Sequence, residues 1–251
     1  MLSKDIEKNL QNKVLEVKEI TKKYGDVPVL ENISFDLDSG EIICILGPSG
    51  CGKTTLIRSI LGMEKPNYGS VKVFSQELND LNMLSKIGYM AQSSSLYDYL
   101  TGRQHLKFFG KFYKISPKVL EERIEYLADL LGLTQHLEKQ VLTYSGGMKK
   151  RLAFAITLIH DPEIIILDEP TVGIDPVLRK RIWQEIIRLK NEGKSIIVTT
   201  HVMDEINACS KLLLLHSGHL VANDSPENLL EKTNTDSIED MFIYYIEKDG
   251  K

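Results

Sequence analysis

The spacing of hydrophobic residues changes several times along the chain and predicts strands that alternate with helices. Alternation of apolar and polar residues over 14–20 predicts an early strand, and the short segments 29–30 and 33–37 predict a further strand pair. Continuous apolar runs are typical of parallel strands that are buried on both faces. Such runs lie at 42–46, 164–167 and 196–198. The order of these segments predicts an α/β fold with a parallel sheet.

A stretch with helical spacing interrupts this pattern from about residue 93 to 159. One predicted helix begins at Ser116-Pro117 and ends before Gly132. Its apolar face consists of Val119, Leu120, Ile124, Leu127, Leu130 and Leu131. An aromatic cluster in the same stretch belongs either to the core or to a docking face for a partner; it comprises Phe108, Phe109, Phe112 and Tyr113.

Core strands are expected on both sides of this stretch, and we therefore interpret it as a helical insertion. The predicted domain spans 13–228. Its core covers about 13–92 and 160–222, the helical insertion covers about 93–159, and a short helical C-terminal tail follows at 229–251.

The composition is that of an ordinary globular protein and excludes few classes of function. The 251 residues are 42% hydrophobic and 26% charged, with a formal net charge of −4. With this net negative charge the chain lacks the excess of basic residues that is typical of nucleic-acid-binding proteins, so we expect no nucleic-acid partner. No run approaches the roughly 18 apolar residues that cross a bilayer, and the start of the chain lacks the apolar core of a secretory signal.

The three cysteines have neither the spacing of a metal site nor that of a disulfide set. They are Cys44, Cys51 and Cys209. We therefore expect a reducing, cytosolic environment. Cys51 precedes a predicted helix start, which can lower a thiol pKa, although a small residue that fits a tight loop explains it more simply.

The segment Gly47–Thr54 carries the clearest chemistry. It fits the pattern G-x-x-x-x-G-K-[ST], with an apolar strand before it and a helix-compatible segment after it. Its glycines allow backbone N–H groups to converge on phosphate oxygens, and the following helix directs its positive end at the same anion. Lys53 is expected to reach the β- and γ-phosphates, and the Thr54 hydroxyl to bind Mg²⁺. The segment predicts a nucleoside triphosphate site.

Several polar residues follow predicted strands at the sheet edge where α/β proteins bind ligands. Asp168 and Glu169 end an apolar strand, and two carboxylates there suit a metal and a general base. Gln92 and His201 each follow another strand. A lone histidine or glutamine is usually structural, but at this edge His201 is better interpreted as a γ-phosphate contact.

A second anion-binding helix start lies at Ser145-Gly146-Gly147. One nucleotide does not need two such phosphate sites within one chain. This duplication indicates that a second copy of the domain completes the site.

Together these residues resemble the nucleotide-binding subunit of an ABC transporter over about Val14 to Asn228. The resemblance implies a P-loop NTPase (RecA-like) core with an antiparallel β subdomain and an inserted α-helical subdomain. By this resemblance, Tyr24 is the adenine-stacking aromatic, 47–54 is the phosphate loop and Gln92 belongs to the glutamine loop. The signature is 145–147, and 164–169 contains the Mg²⁺ strand and the catalytic glutamate. The dimer-contact loop is 173–175, and His201 is the switch histidine.

The resemblance further implies the composition of the site. ATP is expected to contact Tyr24, Gly47, Pro48, Ser49, Gly50, Cys51, Gly52, Lys53, Thr54, Thr55, Gln92, Ser145, Gly146 and Gly147. Mg²⁺ is expected at Thr54, Gln92 and Asp168, and catalysis is expected from Glu169, His201 and Lys53. In the family, two subunits stack head to tail, and each ATP lies between one phosphate loop and the opposite signature.

The chain departs from the commonest family patterns at a few positions. Tyr144 and Met148 replace the Leu and Gln of an LSGGQ signature, and 172–176 reads Val-Gly-Ile-Asp-Pro. This form resembles the subgroup that drives exporters of drugs, lipids or polysaccharides. After Thr101, where many members of the family carry a Glu before Asn-Leu, this chain has Gln104-His105-Leu106. By resemblance, this segment lies near the surface that contacts the membrane subunit.

The leading hypothesis is an ATPase subunit at the cytoplasmic face of a membrane. Its partners would be separately encoded permease subunits and a second ATP-binding subunit, identical or different. A second hypothesis is a soluble ABC-type ATPase that acts on nucleic acid or the ribosome. A third is the ATPase of an uptake system, which differs only in its partner.

Overall fold

The computed structural model describes residues 13–77, 81–93 and 95–249. Residues 78–80 of the predicted core, residue 94 of the predicted insertion and residues 250–251 of the predicted tail lie outside this part of the chain. The strands of the described residues are β1 (Lys13–Tyr24), β2 (Val27–Asp38), β3 (Ile42–Leu46), β4 (Tyr68–Val73), β5 (Gln76–Glu77), β6 (Ile87–Met90), β7 (Ile164–Asp168), β8 (Ser195–Thr200), β9 (Lys211–His216) and β10 (His219–Asp224).

The helices of the same residues are α1 (Lys53–Ile60), α2 (Leu81–Leu84), α3 (Gly102–Phe112), α4 (Pro117–Leu130), α5 (Gly146–Leu158), α6 (Pro176–Asn191), α7 (Pro226–Thr233) and α8 (Ile238–Asp249). A 3₁₀ segment at Met203–Ala208 lies between β8 and β9. None of the described helices is long and apolar enough to span a membrane.

The strands form two sheets. The larger sheet has the order β10-β9-β3-β8-β7-β6, and all of its neighbours pair in parallel except β10 with β9. The smaller, antiparallel sheet has the order β2-β1-β4-β5. Helices α3, α4 and α5 lie between β6 and β7 in the chain, where we predict the helical insertion.

The predicted pair of short strands at 29–30 and 33–37 is one continuous strand, β2. Asn32 interrupts its alternation with a left-handed backbone, φ 51°. The pairing register with β1 shifts near this residue, because one extra residue bulges out of the ladder. The sequence pattern therefore marked a bulge within a strand, and the prediction of two strands is wrong.

Two hydrophobic clusters stabilise the molecule, and β3 contributes to both. Ile43 and Ile45 pack between the two sheets, where α1 also lies, while Ile42 and Leu46 face the cluster that includes α3 to α6. Burial of each such side chain stabilises the fold by about 1.5–3 kcal/mol. Burial on both faces explains the continuous apolar run of this strand, and it holds the strand's carboxyl end in place.

Cys44 and Cys209 are paired, although their spacing did not predict a disulfide. Their Cα atoms lie 5.9 Å apart and their sulfur atoms lie at bonding distance. The two residues are 165 positions apart in sequence. They meet because Cys44 lies in β3 and Cys209 precedes β9, its neighbour in the sheet. The expectation that these two cysteines do not pair is wrong.

Candidate nucleotide site

The carboxyl ends of four neighbouring strands bring the predicted site residues to one edge of the larger sheet. Leu46 pairs with Thr200, Asp168 with Thr199, and Met90 with Leu167. The segments that follow these strand ends carry the phosphate loop, His201, Glu169 and Gln92. Residues that are far apart in the sequence thus form one polar edge above an apolar sheet. We call this edge, formed by the phosphate loop, Gln92, Glu169 and His201, the rim.

The phosphate loop leads from β3 into α1. Gly50 and Gly52 have φ values of 82° and 109°, a backbone region that a Cβ atom disfavours. Helix α1 begins at Lys53, directly after Gly52. The Lys53 ammonium donates hydrogen bonds to the carbonyls of Gly47 at 2.7 Å and Pro48 at 2.9 Å. A backbone concavity, a helix N-terminus and a lysine therefore meet at one point, which suits a phosphate chain.

A pocket of about 350 Å³ opens above this loop. Its lining consists of Val29, Ser49, Gly50, Gly52, Lys53, Thr54, Thr55, Gln92 and Glu169. Apart from Val29, each of these residues belongs to the set expected from sequence. Gly47, Pro48 and Cys51 lie in the same loop but do not line this pocket.

Asp168 is buried, with 1% of its surface exposed, and both of its carboxylate oxygens accept hydrogen bonds from hydroxyl groups. The Thr54 hydroxyl donates to Oδ2 at 3.0 Å, and the Thr199 hydroxyl donates to Oδ1 at 2.5 Å. Both donors are neutral, so these contacts do not balance the negative charge of Asp168. A buried carboxylate in this setting favours a cation beside it.

Oxygen donors at this position fit Mg²⁺. The Thr54 hydroxyl and the Asp168 carboxylate are adjacent, and the Gln92 amide lies at the same rim. The described residues contain no cluster of three or more His, Cys, Asp or Glu side chains that could hold a metal ion. Mg²⁺ ordinarily needs no such cluster, since it is bound through one or two carboxylates, water and substrate phosphates.

Glu169 lies next to the two other polar residues of the rim. The Gln92 amide donates to Glu169 Oε2 at 3.0 Å, and His201 Nδ1 lies 3.4 Å from Glu169 Oε1. The backbone N–H of Glu169 donates to the hydroxyl of Thr199 at 3.0 Å. The carboxylate is thus held by two side chains and directed at the pocket that it lines.

Thr199 is a site residue that the sequence reasoning missed. Its hydroxyl orders Asp168 and Glu169 at once, since it donates to the first and accepts from the backbone of the second. The available signal was Thr199-Thr200 at the end of an otherwise apolar strand. Hydroxyl groups are costly inside a sheet unless they bond to neighbouring polar groups.

Tyr24 lies at the end of β1, outside the pocket lining, and is 48% exposed. Its hydroxyl donates to Glu64, and this contact is the main cause that raises the pKa of Tyr24. The ammonium of Lys22 lies 5.1 Å from the centre of the ring. One face of the ring is thus covered by a cation, and the side chain is fixed at its tip.

Cys51 does not behave as an activated thiol. Burial raises its pKa, and the neighbouring Lys53 only partly opposes this effect. The direction of this shift disfavours the alternative of a thiol activated by the helix start, and Cys51 fits the preferred interpretation of a small residue within the loop.

Ser145, Gly146 and Gly147 lie at the start of α5 and do not line the pocket above the phosphate loop. The Ser145 hydroxyl accepts a hydrogen bond from the Met148 N–H at 3.2 Å. No heavy atom lies within 4 Å of a Cβ built at Gly146. A side chain at Gly146 would therefore point into open space, whereas a Cβ at Gly147 would lie 3.6 Å from the carbonyl oxygen of Gly173.

Comparison with known protein families gives one match, to the family described as ABC transporter, over residues 30–172. A protein of Escherichia coli K12 named "Probable multidrug ABC transporter ATP-binding protein" is 36% identical over 240 residues, which cover 93% of this chain and 42% of that protein. A Nod factor export ATP-binding protein I of Rhizobium meliloti is 38% identical over 221 residues, 87% of this chain and 66% of that protein. The chain therefore spans less than half of the first relative and about two thirds of the second.

Solved structures match over a larger share of their length. The ATP binding subunit of an ABC transporter gives a TM-score of 0.87 at 26% identity, covering 92% of this chain and 99% of that one. A bacterial ABC transporter cassette solved as a dimer gives 0.78 at 27% identity, covering 84% and 98%. The same cassette bound to ADP and Pi gives 0.77 at 26% identity, covering 84% and 98%. These matches confirm the predicted P-loop NTPase fold class.

Proposed function

This chain belongs to the ABC transporter family as an ATP-binding domain, and from that premise we propose that it hydrolyses ATP within a dimer and drives export through separate membrane subunits. The observation that carries the proposal is the convergence of Lys53, Thr54, Gln92 and Glu169 on one pocket, with Asp168 buried directly behind Thr54. This combination offers a phosphate cradle, a cation site and a base within one rim. Phosphoryl transfer needs little beyond such positioning and charge stabilisation.

The roles follow from the chemistry of each group. Glu169 accepts a proton from the attacking water, since its carboxylate faces the pocket and is held by Gln92. Lys53 exchanges its hydrogen bonds with the loop carbonyls for phosphate oxygens and stabilises their charge. His201 lies next to Glu169 but outside the pocket lining, and its proposed role is to contact the γ-phosphate.

Mg²⁺ would be held by Thr54 and Asp168, with Gln92 as a further oxygen ligand. Bound there, it would neutralise charge on the β- and γ-phosphates. Asp168 suits this role because its carboxylate is buried, oriented by two hydroxyls and adjacent to the pocket floor.

A second subunit is proposed to complete the site. The start of α5 offers Ser145 and Gly146 on an exposed surface, with Gly147 half-buried beside them, outside the chain's own pocket. Two stacked copies would bring this helix N-terminus to the partner's ATP, where its partial positive charge favours phosphate. The dimeric cassette among the solved relatives supports this arrangement.

An exposed aromatic face supports a further protein partner. Tyr97, Tyr99, Phe108 and Phe112 are between 50% and 78% exposed, and the first three line a concave surface. Large exposed apolar patches of this kind mark interaction sites. We propose that this aromatic face docks on a separately encoded permease, which would place the chain at the cytoplasmic face of a membrane.

Export is favoured over uptake by the relatives, whose names refer to multidrug transport and to Nod factor export. Co-purification with an integral membrane protein from a detergent extract would support the transporter role. ATPase activity stimulated by nucleic acid would instead favour the alternative of a module that acts on nucleic acid or the ribosome.

Glu169→Gln tests the hydrolytic mechanism. The amide keeps the size of the carboxylate but cannot take a proton, so turnover should fall by about 100-fold or more, the contribution of a positioned base. ATP affinity should change little, because the phosphate loop is untouched. Steady-state ATPase rates and ATP titrations measure the two effects, and sedimentation with ATP shows whether the dimer stays closed.

Glu163→Gln is the matched control on the same chain segment. Glu163 precedes β7 at the end of the strand opposite to Glu169, and its side chain is 52% exposed and pairs with Lys86. Its replacement should leave turnover unchanged. Wild-type turnover in the Glu169→Gln variant would show that another group is the base.

A further inference from the structure

A buried carboxylate lies directly behind the rim of the nucleotide site. Glu205, in the 3₁₀ segment after β8, is only 4% exposed. One of its oxygens accepts a hydrogen bond from the Thr171 hydroxyl and the other from the Thr200 hydroxyl. Thr171 and Thr200 are each 1% exposed. Two separate segments of the chain are thus tied to one carboxylate in a region that excludes water.

The first of these segments carries His201. Besides donating to Glu205, the Thr200 hydroxyl accepts a hydrogen bond from the Val202 N–H at 3.0 Å. The Val202 carbonyl in turn accepts from the Glu205 N–H at 3.2 Å. These bonds hold the residue before His201 and the residue after it, so they fix the backbone from which the histidine projects.

The second segment leads into the loop 172–175. The Thr171 carbonyl accepts from the Ile174 N–H at 3.1 Å, which closes this loop into a turn. The Val172 carbonyl accepts a hydrogen bond at 2.8 Å from the ammonium of Lys150 on α5. The loop is therefore anchored by Glu205 on one side and by the helix that begins at Ser145 on the other.

Lys150 feels the charge of this carboxylate as well. Burial lowers the pKa of Lys150, while the carboxylates of Glu169, Asp168 and Glu205 act in the opposite direction.

We propose that Glu205 is a positioning residue, which fixes the loop 172–175 against the segment that carries His201. The inference rests on the proposed function, in which His201 faces the chain's own ATP. A displacement of the loop would be transmitted to His201 through one buried carboxylate. Glu205 itself touches neither ATP nor water in this role.

The hydrogen-bond pattern predicts that an amide cannot replace this carboxylate. Both threonine hydroxyls donate, and Glu205 offers an acceptor to each. Glutamine offers one acceptor and one donor, so one of the two buried hydroxyl protons would lose its acceptor. That hydroxyl could then only accept from the amide while its own proton stays unpaired, so one of the two tethers would be weakened.

Glu205→Gln is therefore compared with the wild type in two measurements on the full chain. The turnover number should fall by about ten- to a hundredfold, as expected for misplaced catalytic groups, with KM within about twofold. Amide hydrogen exchange without nucleotide should accelerate in peptides that contain Val202 or Ile174. The exchange measurement does not depend on ATP hydrolysis.

Glu185→Gln is the matched control. Glu185 on α6 is also 4% exposed, and it accepts hydrogen bonds from Tyr126 and Arg188, away from the nucleotide site. Its replacement should lower stability. The turnover number and the amide exchange of the peptides that contain Val202 or Ile174 should stay unchanged. An equal loss of turnover in this control would show that general destabilisation, rather than positioning, explains the effect.

A pair of threonine variants serves if Glu205→Gln does not fold. Thr171→Ser keeps the donor and should retain turnover, whereas Thr171→Val removes it and should reproduce the loss. Unchanged turnover and unchanged exchange in Glu205→Gln or Thr171→Val would overturn the proposal. A wild-type chain that does not hydrolyse ATP would contradict the proposed function alone, because the exchange measurement would still decide the role of Glu205.

Discussion

At the scale of single residues, the backbone of Glu169 supports its assignment to the chemistry. Its φ of 52° lies in the left-handed region, which costs a residue with a side chain about 1–3 kcal/mol. The strain is tolerated because the Glu169 N–H bonds to Thr199 and the preceding residue, Asp168, is held in β7. Strain that the surroundings maintain at the mouth of a pocket is typical of residues with a functional role.

Gly47 is the residue of the phosphate loop with the least room. A Cβ atom at this position would lie 2.2 Å from the carbonyl oxygen of Leu215 in β9 and 2.6 Å from the sulfur of Cys51. Gly47→Ala should therefore displace the loop, destabilise the fold by about 1–3 kcal/mol and weaken ATP binding. Urea unfolding and ATP titration measure the two effects.

Gly146→Ala is the control for stability. A Cβ there meets no heavy atom within 4 Å, and the residue lies in a helix, where alanine is better tolerated than glycine. It should unfold at the same urea concentration as the wild type or higher. If Gly47→Ala is as stable as Gly146→Ala and binds ATP normally, the loop is not confined as the structure indicates.

At the scale of elements, local patterns were enough to predict most strands and helices but not their neighbours. The apolar run of β3 and the Pro at the start of α4 are local signals, and the structure has a strand and a helix there. The contact of Thr199 with Asp168 depends on β8 lying beside β7. Strand order arises from long-range packing, so residues whose role depends on it, such as Thr199 and Glu205, were missed.

Helix α3 shows why an unusual segment can be structural. Gln104 and Thr101 form a capping box, in which each side chain accepts a hydrogen bond from the other residue's backbone N–H. His105 is fully buried and accepts from the Tyr97 N–H at 2.9 Å, while burial lowers the pKa of its imidazole. The departure from the family pattern at 104–106 thus orders the exposed aromatic face that starts at Tyr97.

His160 links the end of α5 to two other elements and predicts a pH dependence of stability. Its ring stacks on Tyr113 at 3.8 Å, and its Nε2 lies 3.3 Å from the Ile87 carbonyl. Burial lowers its pKa from 6.5 to about 4. Between these values the unfolded chain binds more protons than the folded one. The contribution of His160 is therefore complete above about pH 6.5 and is lost as the pH falls toward 4.

His160→Phe should flatten this dependence. Phenylalanine can keep the stacking on Tyr113 but cannot be protonated. The slope for one proton is at most about 1.4 kcal/mol per pH unit, and partial exposure of the ring reduces it. The free energy of unfolding of each protein is measured at several pH values, and the wild-type value is subtracted from that of the variant. The contribution of His105 cancels in this difference because both proteins contain it. Parallel curves for the two proteins would contradict the assignment.

At the scale of the whole molecule, the proposed site is divided between two surfaces of one chain. The pocket above the phosphate loop contains the predicted base and lysine, while the helix start at Ser145 faces outward. The loop 172–175 and Lys150 connect these surfaces through Val172. We expect such a chain to bind ATP alone but to hydrolyse ATP only when a partner supplies the second helix start.

Ser145→Arg tests this division. The larger, charged side chain should block the approach of the partner, so turnover should fall by about 100-fold or more, comparable with the loss of a transition-state donor. ATP affinity of the single subunit should persist, because Ser145 does not line the chain's own pocket. ATP titration at low protein concentration, ATPase rates and sedimentation with ATP measure binding, turnover and dimerisation.

Loss of the helix cap requires its own control, because the substitution also removes the hydrogen bond from Met148 to Ser145 and should cost about 1 kcal/mol of stability. Ser225 caps α7 in the same way, accepting from the Asn228 N–H at 3.2 Å. Ser225→Ala should lose similar stability and keep full turnover. If Ser145→Arg abolishes ATP binding together with turnover, its helix start serves the chain's own nucleotide, and the site is not shared.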